Sequence, residues 1–215
     1  MSVNFSKNIF KKALYVALFI VSIGFTNAYA DNISYKEGEH YKIVSDTITP
    51  KKEVREFFSF WCGHCFALQE AYRLVAKSLI EGASFVESPV GLLGGPMGVR
   101  SQYAHALATL HGIGHEFDKA LFKKMHIEGD IPQRDSFYRD LLASLGIPHN
   151  KYDSEINSFA VMGMVSKIDI LVDLYKLDAV PELVVNGRYL VKQESVNTVS
   201  DLSKLINYLL VLDDK

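Results

Sequence analysis

Cysteine is nearly absent from this chain, with two in 215 residues, and both lie within four positions of one another, at Cys62 and Cys65. A structural zinc site wants four ligands, so here it would have to recruit distant histidines. A c-type haem needs histidine directly after the second cysteine, and that residue is Phe66. A purely structural bridge between residues three apart closes so small a loop that it adds little stability. Basic charge is not in excess either: 23 Lys and Arg stand against 25 Asp and Glu, which argues against a nucleic-acid surface. The Gly-rich run at 91–98 lacks the Gly-Lys-Ser/Thr ending of a phosphate loop, so it reads as a flexible connector or hinge.

What is present divides into two unlike parts. In the first thirty residues Lys7, Lys11 and Lys12 precede an uncharged run that ends Ala28-Tyr29-Ala30, the pattern of a secretory signal peptide cleaved after Ala30. An uncleaved anchor is the alternative, but the apolar core is short for a spanning helix, and no cysteine near the cleavage site suggests a lipoprotein. Removing residues 1–30 leaves 20 basic and 25 acidic residues on a mildly acidic, soluble chain. Overall 48% of the residues are hydrophobic, enough for one well-filled domain with a subdomain. Export to an oxidising compartment lets a Cys-x-x-Cys pair persist as a disulfide.

The stretch Phe57-Phe58-Ser59-Phe60-Trp61 reads as a buried strand, and the apolar spacing after Cys65 reads as a helix to about residue 80. The cysteines therefore sit where a strand feeds a helix N-terminus. There the unpaired N–H groups, the helix dipole and a neighbouring His64 are expected to lower the Cys62 pKa. Cys65 lies one turn on, so the pair can close a disulfide that reopens by thiol exchange, with Cys62 attacking and Cys65 resolving. Strand alternation puts Glu56 between Val54 and Phe58 on one face, either at a solvated edge or buried with a raised pKa.

Elsewhere, residues 41–44 suggest an edge strand and 84–90 the next one. Residues 99–177 show only helical spacing, with Asp153 as the N-cap of a long last helix. His111 and His115 are separated by helix-breaking glycines and read as surface or loop residues; Met162 and Met164 read as packing. Residues 180–191 read as a hairpin turning at Asn186-Gly187, with Pro181 just ahead of its first strand. A helix over about 199–212 closes the domain.

This order of elements resembles the thioredoxin fold with an inserted all-helical subdomain, as in the DsbA family of bacterial periplasmic thiol:disulfide oxidoreductases. The resemblance is carried by Glu56 through Cys65, by Tyr152-Asp153 with Ser158-Phe159, and by Val180-Pro181 with Val185 through Tyr189. It implies an α/β chain with residues 31–95 and 178–215 as the thioredoxin-like domain and 96–177 as the helical insert. It implies that Cys62 is the exposed nucleophile, Cys65 its buried partner, Glu56 the buried acid beneath them and Pro181 a cis proline. Val180, with Trp61 and Gly63, is expected to meet substrate.

The implied activity is donation of the Cys62–Cys65 disulfide to unfolded exported proteins in the periplasm. Recharging would fall to a DsbB-type membrane quinone reductase, with no bound cofactor or metal, and the chain is expected to be a monomer. One departure stands out: the family mostly carries Pro-His between the cysteines, and this chain has Gly63-His64, the dipeptide of protein disulfide isomerase. An isomerase or reductase is therefore a rival reading, and a non-catalytic peptide-binding chaperone or zinc-binding periplasmic protein is another.

Overall fold

Strand β2 (Glu53–Phe58) is the axis of the protein. Its side chains alternate between two covered faces, so Val54 and Phe57 are both fully buried although they point opposite ways. The computed structural model describes residues 34–214. The proposed leader and its cleavage site after Ala30 lie outside the described residues.

A five-stranded sheet has the order β1-β5-β4-β2-β3, built from β1 (Tyr41–Ile43), β3 (Ser84–Pro89), β4 (Glu182–Val185) and β5 (Tyr189–Val191) around β2. The β2 and β3 strands are parallel, with Val54 opposite Phe85. Parallel neighbours need a crossover, and helix α1 (Gly63–Lys77) supplies it. The β4 strand returns antiparallel to β2, pairing Phe57 with Glu182, and β5 follows through a three-residue connection, Asn186 to Arg188, in which the Arg188 N–H donates to the Val185 carbonyl at 3.0 Å. In that turn Asn186 and Gly187 have φ of 51° and 66°, the left-handed pair that a tight hairpin needs.

One sheet face packs Val54, Leu183 and Val185 against Tyr72 and Val75 of α1 and against Leu205, Ile206 and Leu209 of the closing helix α7 (Val199–Leu210). The other face packs Phe57 and Val184 against Tyr175, near the end of helix α6 (Phe159–Tyr175). Helices α2 (Gly95–Leu110), α3 (Gly114–His126), α4 (Ser136–Ser144) and α5 (His149–Glu155) complete the run between β3 and β4. Their core is continuous with the end of β2: Phe58, Phe60 and both cysteines share a cluster with Leu107, Phe117, Leu121 and Phe122. The helical run thus forms one wall of the strand end that carries the cysteines.

Three local readings are corrected. The long helix from Asp153 is two helices: α5 ends at Glu155, and α6 starts afresh with Ser158 as its N-cap, its side chain accepting the Val161 N–H at 3.3 Å. Asp153 lies inside α5, where its carboxylate accepts two hydrogen bonds from Arg139 at 2.8 Å. Of the glycine-rich run at 91–98, only residues 91–94 are the connector, because helix α2 has already begun at Gly95. Helix α1 stops at Lys77, short of residue 80, where Ser78 caps it and donates its N–H to the Val75 carbonyl.

Candidate active site

Cys62 is the N-cap of α1, with extended backbone angles that place its sulfur over the first helical turn. The Cys65 N–H donates to the Cys62 Sγ at 3.1 Å. A sulfur that accepts one of the orphan amides of a helix N-terminus sits at the positive end of the dipole, where an anion is stabilised. The Cys62 thiol points to the Val180 carbonyl at 3.7 Å, and the Val180–Pro181 bond is cis. Both cysteines are free thiols. Cys62 is less open than the resemblance implied: it is 8% exposed against 1% for Cys65, so the two differ in degree only. Burial raises the Cys65 thiol far above its ordinary value, and the neighbouring Cys62 adds to the shift.

Glu56 is 7% exposed, which resolves the choice between edge and burial. Burial, reinforced by the Glu87 and Asp118 charges, pushes its carboxyl up to about 8. Glu182, next to Pro181, is pushed up to about 7 by burial and by Glu194 and Asp178.

His64 and Gly63 are exposed at the start of α1, and a Cβ added at Gly63 would meet nothing within 4 Å. The place filled by proline in most of the family is therefore open here. Trp61 is half-buried and lies over Gly94, the N-cap of α2, whose φ is +80°. A Cβ at Gly94 would overlap the indole, and the backbone there is one that L side chains rarely adopt. Gly94→Ala is expected to cost about 2 kcal/mol, within the range for strained backbone plus a displaced ring. Trp61 is the sole tryptophan, so its fluorescence reports the displacement directly. An unchanged emission spectrum together with an unchanged unfolding midpoint would refute the contact.

Two arrangements around the cysteines join residues far apart in sequence. The Tyr72 hydroxyl, on α1, donates to Gln193 Oε1, and Gln193 Nε2 donates to the Pro181 carbonyl at 3.0 Å. The helix that carries the cysteines is thereby tied to the cis-proline loop. His126, at the end of α3, donates from Nε2 to the Phe60 carbonyl at 2.8 Å while its ring stacks on Phe66 at 4.9 Å. That bond fixes the backbone two residues before Cys62.

The structure does not gather the other histidines into a metal site. His111 pairs with Glu155 at 2.6 Å, and His115 faces Glu87 at 3.9 Å. Among the described residues no group of three or more His, Cys, Asp or Glu is placed to hold a metal ion. Met164 packs against the helical core, whereas Met162 is exposed.

A family model described as DSBA-like thioredoxin domain matches residues 53–204. The thiol:disulfide interchange protein DsbA of Haemophilus influenzae is 32% identical over 190 residues, covering 87% of this chain and 90% of that protein. The DsbA of Yersinia pestis is 30% identical over 169 residues, 77% and 81% of the two chains. Among solved structures, a cysteine-to-serine variant of Proteus mirabilis DsbA with a non-covalently bound peptide superposes with a TM-score of 0.75. It is 27% identical and covers 83% of this chain and 99% of that one.

Proposed function

Because the chain belongs to the DsbA family of thioredoxin-fold thiol:disulfide oxidoreductases, we propose that Cys62 and Cys65 are its redox pair, with Cys62 the sulfur that substrates attack. The carrying observation is the Cys65 N–H donated to the Cys62 Sγ at the head of α1, beside the cis Val180–Pro181 bond. A substrate thiolate attacks Cys62 in the disulfide form, the S–S bond breaks, and Cys65 leaves with the electron pair and takes up a proton. The substrate's second thiolate then attacks its own sulfur in the mixed disulfide and releases Cys62. The substrate loses two electrons and two protons in all, and the enzyme ends as the dithiol.

Glu56 is the buried acid that exchanges the proton with Cys65, its charge lying close enough to raise the Cys65 thiol further. Val180 supplies backbone to an extended substrate segment, with Trp61 and Gly63 flanking it. The non-covalently bound peptide on the Proteus mirabilis relative supports a peptide as the ligand. His64 favours the reduced form from the exposed start of α1. A membrane quinone reductase of the DsbB type returns the dithiol to the disulfide, and no bound cofactor is required.

Residues 1–30 are an export signal removed after Ala30, and the intact mass of the periplasmic protein reads that cleavage. Among the described residues no helix is long and apolar enough to cross a membrane. Equilibration with glutathione tests the direction of electron flow. A potential between about −180 mV, typical of protein disulfide isomerase, and about −120 mV, typical of DsbA, is expected, with His64→Ala moving toward the weaker oxidant. A value near about −270 mV, typical of thioredoxin, would make the chain a reductase instead.

A further inference from the structure

The loop between α6 and β4 brings Val180 to Cys62, and few bonds hold its backbone. Among the described residues, positions 178–181 take part in two hydrogen bonds, both as acceptors. The Cys62 thiol points to the Val180 carbonyl at 3.7 Å, and Gln193 Nε2 donates to the Pro181 carbonyl at 3.0 Å. The first of these exists only in the dithiol. Once Cys62 is joined to Cys65 it has no S–H to give, so in the disulfide form, the one a substrate thiolate attacks, the Gln193 amide is the bond that remains. The Val180 side chain packs on the core, which places the residue but does not set the direction of the peptide planes beside it. The Val180 N–H meets no acceptor among the described residues, so in the disulfide form both of its backbone groups are open to an added strand.

The Gln193 amide is braced from both sides. Gln193 opens a short 3-10 turn, Gln193–Ser195, and the residue before it is tied to the 38–40 segment: Lys192 donates its N–H to the His40 carbonyl at 2.9 Å and its ammonium to the Gly38 carbonyl at 2.7 Å. Tyr72 lies on α1 two turns beyond Cys65, on the same helical face, and is 2% exposed. Its hydroxyl donates to Gln193 Oε1. The Pro181 carbonyl can only accept, so it requires the NH₂ end of the Gln193 amide. Tyr72 holds the amide in that orientation by giving its oxygen the donor it needs. Burial raises the Tyr72 hydroxyl above its ordinary value, so it keeps its proton and stays a donor.

We propose that Gln193, oriented by Tyr72, is a positioning residue that holds the Val180–Pro181 backbone in the shape an extended substrate chain pairs with, and so makes the protein prefer peptides to small thiols. This rests on the roles given to Cys62 and Val180 above. A backbone already held loses less freedom when a peptide is laid along it, whereas a small thiol needs only the sulfur.

The test mixes the oxidised, processed protein with two reductants in single turnovers: a flexible synthetic peptide carrying two cysteines, and reduced glutathione. Gln193→Met keeps the side-chain length without a donor. It is expected to raise the half-saturating peptide concentration about five- to tenfold, the scale of one hydrogen bond, with the limiting rate and the glutathione rate within about twofold of wild type. Tyr72→Phe, which keeps the buried ring, should move the same quantity the same way by about two- to threefold, and serves if Gln193→Met fails to fold. Because the two side chains act in series, the double variant should lose no more than Gln193→Met alone. An unchanged half-saturating concentration in both single variants would overturn the proposal. So would an equal slowing of peptide and glutathione, which would place the effect on the sulfurs, or losses that add in the double variant. A wild type that exchanges with neither thiol would sink the reading of Cys62 and Cys65 themselves, and the positioning role with it.

Discussion

Cys65→Ser is expected to accumulate mixed disulfides with its substrates, while Cys62→Ser captures none and loses thiol exchange by about a thousandfold or more, the scale of removing a nucleophile. The asymmetry follows from position. Cys62 caps α1, takes an N–H from Cys65 at 3.1 Å and borders Val180, where an extended chain can lie. Cys65 is sealed at 1% exposure and its thiol is held protonated by burial and by Cys62. An incoming thiol therefore reaches Cys62 and bonds to it. With Cys65 gone, no intramolecular thiol attacks that bond, and release waits on a slow external thiol. Non-reducing gels with mass spectrometry of the bands check this, and partners trapped on the Cys62→Ser protein would reverse the two roles.

How much of the fold and site is legible in the chain depends on how local each cause is. The cysteine pair can be placed at a strand-to-helix junction because both flanking patterns, Phe57 to Trp61 and the helical spacing beyond Cys65, are contiguous with it. The hairpin can be placed because Asn186-Gly187 specifies its turn by itself. The break between α5 and α6 is hidden because buried Ile156, Val161 and Val165 continue an apolar pattern across it. The signal that wins is Ser158, whose hydroxyl satisfies an amide only if the helix restarts there. The glycines near residue 94 suggest freedom because glycine usually confers it. Here Gly94 is held, since the Trp61 ring occupies the space a side chain would need.

The contacts that local patterns do not mark are long-range. Tyr72 and Gln193 are 121 positions apart, and His126 reaches back 66 positions to Phe60. Neither helix face nor strand alternation points to such a partner. A tyrosine on an apolar helix stripe and a histidine at a helix end each have ordinary local explanations. For Glu56 the pattern narrows the outcome to edge or burial, and only the placement of α3 with Asp118 over β2 and β3 decides it.

Glu56 also makes the stability of the protein fall as pH rises, and Glu56→Gln is expected to remove most of that slope. Its folded carboxyl titrates at about 8 against an ordinary value of 4.5, with burial the main cause and Glu87 and Asp118 repulsion next. Between those two values the native chain holds a proton that the unfolded chain has released, so stability decreases with pH across the window. The favourable contribution is complete below about 4.5 and gone above about 8, a difference on the order of several kcal/mol at full burial. Glu182, raised to about 7 by burial and then Glu194, adds a smaller slope of the same sign that ends sooner. Urea unfolding of the reduced protein at pH 5, 6.5 and 8 should show the wild type losing stability stepwise. Glu56→Gln should stay nearly level and exceed wild type at pH 8, with Glu182→Gln intermediate. An undiminished slope in Glu56→Gln would mean that the carboxyl ionises freely in the folded chain, and its role as the buried acid under Cys65 would fall with it.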